Sequence, residues 1–257
     1  MEPRLELRPS ESFADGLQVF ILGSARSGTS LIWAALKKVF DLPGAGEGHV
    51  VPIYQRLIHQ FHAYALEFGG DKGVLASRLD VRAFHASMCA DLREFYLTVY
   101  PGRAWINKTP GAEAITGVPM ILESFPAAKI IVMRRPPIET VQSFQRKFDA
   151  TFIDGCHDWA ACAHSLVEMR ELGLPMLEID QFEMANDPQS VGVAVTRHLG
   201  RPEAHEELAE VFRSERLEQT SSHDWRQRLT LEASGWSLSQ VEQFREICGP
   251  WIEPMGY

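Results

Sequence analysis

The stretch LQVFILGSARSGTSLIWAALKKVF, residues 17 to 40, constrains the fold more than any other part of this chain. LQVFIL is a short, unbroken apolar run with Val and Ile, the pattern of a strand buried on both faces. GSARSGT places a glycine at each end of a tight turn. SLIWAALKKVF then carries apolar residues at helical spacing, with Lys37 and Lys38 on the wet side. The helix points its free N–H groups and positive dipole end at the turn. Gly23, Ser24, Ala25, Arg26, Ser27, Gly28, Thr29 and Ser30 therefore form a candidate anion cradle. The competing reading is a strand-to-helix turn that merely needs glycine. An ATP-type phosphate loop needs Lys after the second Gly, followed by a Ser or Thr on magnesium. Here Thr29 stands in the Lys position, and Arg26 is the remaining cation.

Further along, AWIN (104 to 107), KIIVMRR (129 to 135) and PMLEID (175 to 180) read as strands. Helical segments separate them, so the connections are crossovers and the sheet should be parallel. AEAITGVPMILESF reads as one helix weakened by Gly117 and Pro119. Residues 50 to 100 read as a helical insertion rich in aromatics and His. The expected architecture is a single domain over 1–257. It is α/β, a three-layer α/β/α sandwich with a central, mostly parallel sheet of the P-loop NTPase-like kind.

A second anion site follows the third strand, in RPPIETVQS, where apolar residues give way to Arg135 and a helix begins. In a parallel sheet this is the ligand edge. Arg135 can grip a phosphate bidentately and the Ser143 hydroxyl can add a bond; a solvated Arg at a strand end is the bland alternative.

The formal charge of −9 and a pI near 5.5 argue against a nucleic-acid-binding surface. The four cysteines, Cys89, Cys156, Cys162 and Cys248, form no C-x-x-C pair. They suggest a reducing compartment, and read better as buried small apolar residues than as a metal site. No apolar run reaches the ~18 residues that span a bilayer, and the N-terminus lacks the apolar core of a signal peptide. The expected location is cytoplasmic, with a luminal domain cut from its anchor as the alternative. For oligomeric state, a homodimer is only the prior.

The two cradles, in this order, resemble the sulfotransferases that use 3′-phosphoadenosine 5′-phosphosulfate (PAPS). In that family a G-x-P-R-S-G-T-[TS] loop follows the first strand, and a later R-x-P-x-x-x-x-x-S element binds the 3′-phosphate. Here the first is GSARSGTS, with Ala25 replacing the usual Pro; Arg135, Pro137 and Ser143 match the second. INKTP, with Lys108, resembles the segment that places a lysine near the sulfuryl group. AGEGHVVPIYQRL, with Glu47, is similar to the tyrosylprotein-sulfotransferase segment whose Glu is the base. MLEIDQFEMANDPQSVGVAVTRHLG resembles a further strand, turn and helix of the family. The likeness runs from about residue 17 to 200, and more loosely to the end.

The resemblance implies specific roles. Arg26 and the loop amides hold the 5′-phosphate and sulfonate; Arg135 and Ser143 hold the 3′-phosphate. Arg26 and Lys108 stabilise the departing nucleotide, and Glu47 takes the proton from the acceptor hydroxyl. His49, His59 or His62 are alternative bases. Trp225 is a candidate for stacking on adenine. PAPS is the co-substrate, adenosine 3′,5′-bisphosphate (PAP) the product, and no metal is required. The acceptor is the hydroxyl of a small molecule, a sugar or a peptide tyrosine. A P-loop-type nucleotide or small-molecule kinase, and a non-catalytic nucleotide-binding protein, are the alternatives.

Overall fold

The computed structural model describes residues 16–69, 73, 80–214 and 228–257. Trp225, the candidate adenine contact, lies outside the described residues.

The sequence alternates strand and helix, and the fold follows. β1 (Gln18–Gly23) leads into α1 (Thr29–Phe40); α2 (Val50–Glu67) and α3 (Val81–Val99) precede β2 (Trp105–Lys108). Next come α4 (Ala112–Thr116), α5 (Val118–Ser124), β3 (Lys129–Arg134), α6 (Pro137–Phe148) and α7 (Phe152–Glu171). β4 (Met176–Asp180), α8 (Gln181–Asn186), α9 (Pro188–His198), α10 (His205–Ser214), α11 (Leu238–Ile247) and α12 (Gly249–Ile252) complete the order. The sheet order is β2-β1-β3-β4, and every pairing is parallel. The segment read as one helix around Gly117 is two, α4 and α5. Pro119 lacks the N–H that a continuous helix would need, and is accommodated instead in the first turn of α5.

Period-two alternation splits the strands between two cores. Phe20, Leu22, Ile130 and Val132 pack on one face with α3, α5 and α7 residues such as Leu92, Ile121 and Trp159. Val19, Ile21, Ile131 and Met133 pack on the other with α1, α9 and α10 residues such as Ile32, Val195 and Leu208. Helices thus cover both faces, giving the three layers expected. The helical insertion is anchored by Tyr96, which stacks on Trp105 of β2 with ring centroids 5.5 Å apart.

One segment departs from its sequence reading. DLPGAGEG looks like a plain helix breaker, yet residues 43–48 lie along the free side of β2. Ile106 N–H donates to Pro43 O at 2.9 Å, Lys108 N–H to Ala45 O at 3.4 Å, and Gly48 N–H to Lys108 O at 2.9 Å. Glycine makes that approach feasible: a Cβ on Gly48 would sit 2.1 Å from Asn107 Nδ2, and one on Gly44 would sit 1.8 Å from Ile106 O.

Candidate functional site

The site gathers at the C-terminal ends of β1, β2 and β3, where the parallel strands release their loops. Gly23, opposite Met133 in the ladder, turns the chain with φ 140°; a Cβ there would lie 2.4 Å from Met133 O. Arg26 holds φ 69°, a left-handed backbone costing a non-glycine residue ~1–2 kcal/mol. Such strain persists where the surroundings enforce it, which is common at ligand sites. Inside the turn, Ser27 donates its hydroxyl to Ser24 O at 2.7 Å, and Ser27 is fully buried. Ser27 therefore braces the loop with its side chain. Gly28 caps α1 at φ 96° without a side-chain cap, so no capping side chain covers the helix N-terminus.

The second cradle meets the first directly. Arg26 Nε donates to Ser143 Oγ at 3.1 Å, and Arg135 donates through Nη1 to Arg26 O at 2.9 Å. Ser143 is 1% exposed. Adjacent arginines at the end of β3 go to opposite tasks, as strand alternation demands. Arg134 turns away, donating to Met255 O at 2.7 Å and pairing with Glu178 at 3.1 Å. Arg135 turns to the loop, its carbonyl fixed by Trp159 Nε1 at 3.0 Å. Its Nε is buried and has no hydrogen-bond partner among the described residues. Burial, opposed by Glu139 and reinforced by the charges of Arg26 and Arg146, lowers the Arg135 guanidinium to about 10, still cationic at neutral pH. A buried guanidinium with an orphaned N–H among like charges is a fitting receptor for a phosphate dianion.

Arg146 was not singled out in the sequence, although its position shows a signal. It lies three residues beyond Ser143 on α6, hence on the same side of the helix. Burial and the nearby Arg26 both depress its pKa.

On the other flank, β2 delivers Lys108, 6% exposed. Its Nζ meets Glu47 Oε1 at 2.5 Å and Ser30 Oγ at 3.2 Å. Glu47 reaches it because residues 43–48 run beside β2. The other carboxylate oxygen meets His49 Nε2 at 3.0 Å. His49, at the N-cap of α2, donates its backbone N–H to Thr109 Oγ1 at 3.2 Å; the Thr109 hydroxyl donates to Asn107 Oδ1, and Asn107 Nδ2 donates to Tyr96 OH. His59 and His62 are exposed further along α2. Thus Lys108, Glu47, His49 and Ser30 come together, while Arg26, Arg135 and Ser143 form the neighbouring group.

The loop also differs from the usual pattern in one instructive way. Proline has no N–H, but Ala25 does, and Asp158 of α7 accepts it. Asp158 Oδ2 is buried without a partner among the described residues. Burial outweighs that hydrogen bond and pushes the carboxyl up to about 6. Sequence reasoning missed Asp158, because nothing in the helix marks which side chain will meet a turn formed more than a hundred residues earlier.

A family model described as the sulfotransferase family matches residues 18–206. The chain belongs to the sulfotransferase family. The matched span takes in both cradles and the Glu47–Lys108 pair. The solved sulfotransferase domain from the Synechococcus PCC 7002 olefin synthase is similar, with TM-score 0.51 and 18% identity over 92% of this chain and 98% of that one. Sulfotransferase STF9 from Mycobacterium avium is similar at TM-score 0.52 and 15% identity, covering 93% of this chain and 76% of that one. At such identities these structures support the fold alone. No curated protein matches this sulfotransferase. Among its described residues, no helix is long and apolar enough to cross a membrane.

Proposed function

We propose that this sulfotransferase moves a sulfuryl group from PAPS to a hydroxyl of a small molecule, a sugar or a peptide tyrosine. The observation that carries the reading is the direct contact of the two cradles: Arg135 donates to the backbone of Arg26, and Arg26 to Ser143. A doubly phosphorylated adenosine needs two anion sites within one molecule's reach, and a nucleotide without a 3′-phosphate needs only one.

In this reading the turn from Gly23 to Ser30 receives the 5′ end, using the backbone N–H groups at the α1 N-terminus and the Arg26 guanidinium. Arg135 and Ser143 receive the 3′-phosphate. When bound, PAPS supplies the activated sulfuryl group. Arg26 and Lys108 stabilise the negative charge that develops on the leaving side. A preorganised donor of this kind typically contributes about 10²–10³-fold in kcat. Glu47 takes the proton of the acceptor hydroxyl, an effect of roughly 10²–10⁴-fold. Its ion pair with Lys108 keeps a carboxylate and an ammonium side by side at the same mouth.

The test is thermal stabilisation by adenosine 3′,5′-bisphosphate, beside AMP and beside ATP with magnesium. The reading expects a clear rise with the bisphosphate and little with AMP. A larger rise with ATP and magnesium would favour a kinase. Stabilisation by the bisphosphate, with no sulfate transferred to any of a panel of phenols, sugars and tyrosyl peptides, would favour a binding protein. Arg26→Ala should lower turnover by at least about 10²-fold; unchanged turnover would remove Arg26 from the machinery.

A further inference from the structure

Away from the cradles, His85 and Cys89 stand one helical turn apart on α3 and face Glu123 on α5. His85 Nδ1 lies 3.3 Å from Glu123 Oε2 and 3.8 Å from Cys89 Sγ. The three potential ligand atoms all fall within 4.8 Å of one another. With metal–ligand bonds of about 2.0–2.3 Å, the edges of a tetrahedral zinc site are roughly 3.3–3.6 Å long, so two of the three separations are already close to ligating distances. Cys89 forms the floor, 3% exposed, while the His85 and Glu123 side chains are about a third and a half exposed at the rim.

Hydrogen bonds can also join the three: His85 Nδ1 pairs with the Glu123 carboxylate, and the Cys89 thiol bonds both that carboxylate and Ser124. A divalent ion can replace these bonds, taking the thiolate, the neutral imidazole and the carboxylate as ligands. A cation between the three atoms satisfies all of them at once. A second feature points to the same spot. Ser124 is fully buried, its Oγ has no partner of good geometry among the described residues, and it lies within reach of the Cys89 sulfur. Its hydroxyl can donate to a metal-bound thiolate, as outer partners of zinc ligands do. The backbone is also braced here: Arg93 of α3 donates Nε to Ser124 O at 2.7 Å.

We infer that His85, Cys89 and Glu123 bind one divalent ion of the zinc class, with solvent in the fourth position. Mixed sulfur, nitrogen and oxygen donors favour Zn²⁺ or Co²⁺ over Mg²⁺ or Ca²⁺. The ion clamps α3 to α5. Tyr96 stands two turns beyond Cys89 on α3, and its hydroxyl accepts from Asn107 Nδ2 at 2.8 Å, beside Lys108. The clamp therefore holds the helix that backs the catalytic end of β2.

The test uses the full chain stripped of metal with a chelator and then titrated with Co²⁺ under reducing conditions. The expected result is a cobalt–thiolate charge-transfer band in the near ultraviolet that saturates at one ion per chain and is displaced by Zn²⁺. Zn²⁺ alone should raise the melting temperature. Cys89→Ser should lose the band, and Cys248→Ser should keep it. Since Cys89 is buried and its variant could fold poorly, His85→Gln and Glu123→Gln at the rim provide the second check; each should weaken Zn²⁺ binding at least about 10-fold. Absence of the band in the unmodified chain overturns the inference. So does Zn²⁺ affinity unchanged in both rim variants, since any zinc would then sit elsewhere.

Discussion

Arg26 and Ser143 are hydrogen-bonded at 3.1 Å, joining the glycine turn after β1 to the middle of α6. The contact places the Arg26 guanidinium in the neighbourhood of Arg135 and Arg146; beside the larger effect of burial, its charge lowers the pKa of both, and Arg146 lowers that of Arg135 as well. Such a cluster of like charges is raised in energy until an anion enters, so part of the affinity for a phosphate comes from relief of that repulsion.

Arg135→Ala should abolish the preference for adenosine 3′,5′-bisphosphate over AMP, read by calorimetry or thermal shift. Arg146→Ala should weaken bisphosphate binding and leave AMP binding nearly unchanged. Equal losses for both ligands in the Arg146 variant would place its charge at the 5′ end instead.

Glu47→Gln and His49→Ala separate the two candidates for the base. With Glu47 as base, Glu47→Gln lowers kcat by about 10²–10⁴-fold with bisphosphate affinity retained. His49→Ala then produces a smaller loss. If the larger loss falls on His49→Ala, His49 is the base and Glu47 orients it.

Gly48→Ala should damage both stability and turnover. The new Cβ would fall 2.1 Å from Asn107 Nδ2, so either the Asn107 amide gives up its bonds to Tyr96 and Thr109, which brace His49, or residues 43–48 move off β2 and take Glu47 away from Lys108. Overpacking of this sort costs about 1–3 kcal/mol. Gly46→Ala is the control, because its Cβ would meet only the Trp33 ring at an ordinary 3.6 Å. Chemical denaturation together with kcat decides the matter; two equally tolerated variants would contradict the close approach.

Asp158→Asn should stabilise the protein increasingly as pH rises. Burial holds the folded-state carboxyl near 6, above its ordinary value of 3.8. The folded state therefore binds a proton more tightly than the unfolded one between those values. That contribution is complete below about pH 3.8, declines as pH rises and is gone above about pH 6. At about 1.36 kcal/mol per pH unit it is on the order of 2–3 kcal/mol. The carboxyl also faces Cys162 one turn along α7, and the thiol's own ionisation is pushed up by burial and by Asp158. Asn keeps an acceptor for the Ala25 N–H without the charge. Melting temperatures for the pair at pH 5 and pH 8 should diverge, with the variant ahead at pH 8. Parallel pH profiles would mean that Asp158 does not titrate there.

β1 and β3 were legible because each is a short apolar run with its interior buried on both faces, and Gly23 to Ser30 because glycine spacing and helix onset coincide. The divergence of Arg134 and Arg135 was not read from the sequence; strand alternation explains it once β3 is placed. Residues 43–48 were harder: GAGEG has no strand-forming side chains, and its extended path comes from the partner strand and the lack of Cβ atoms. Asp158 could not be read at all, since its role depends on α7 crossing beneath the loop. His85 and Cys89 carried the helical spacing of a ligand pair, but Glu123 joins them only through the packing of α5.

The run from Pro43 to Gly48 also has a protective effect. An uncovered outer strand offers its free N–H and C=O groups to any neighbouring chain, the usual beginning of sheet-to-sheet polymerisation. Pro43, Ala45 and Gly48 occupy those groups on Ile106 and Lys108. Loosening this segment would therefore expose a sticky border as well as displace a carboxylate, and such variants should show turbidity on concentration along with lost turnover.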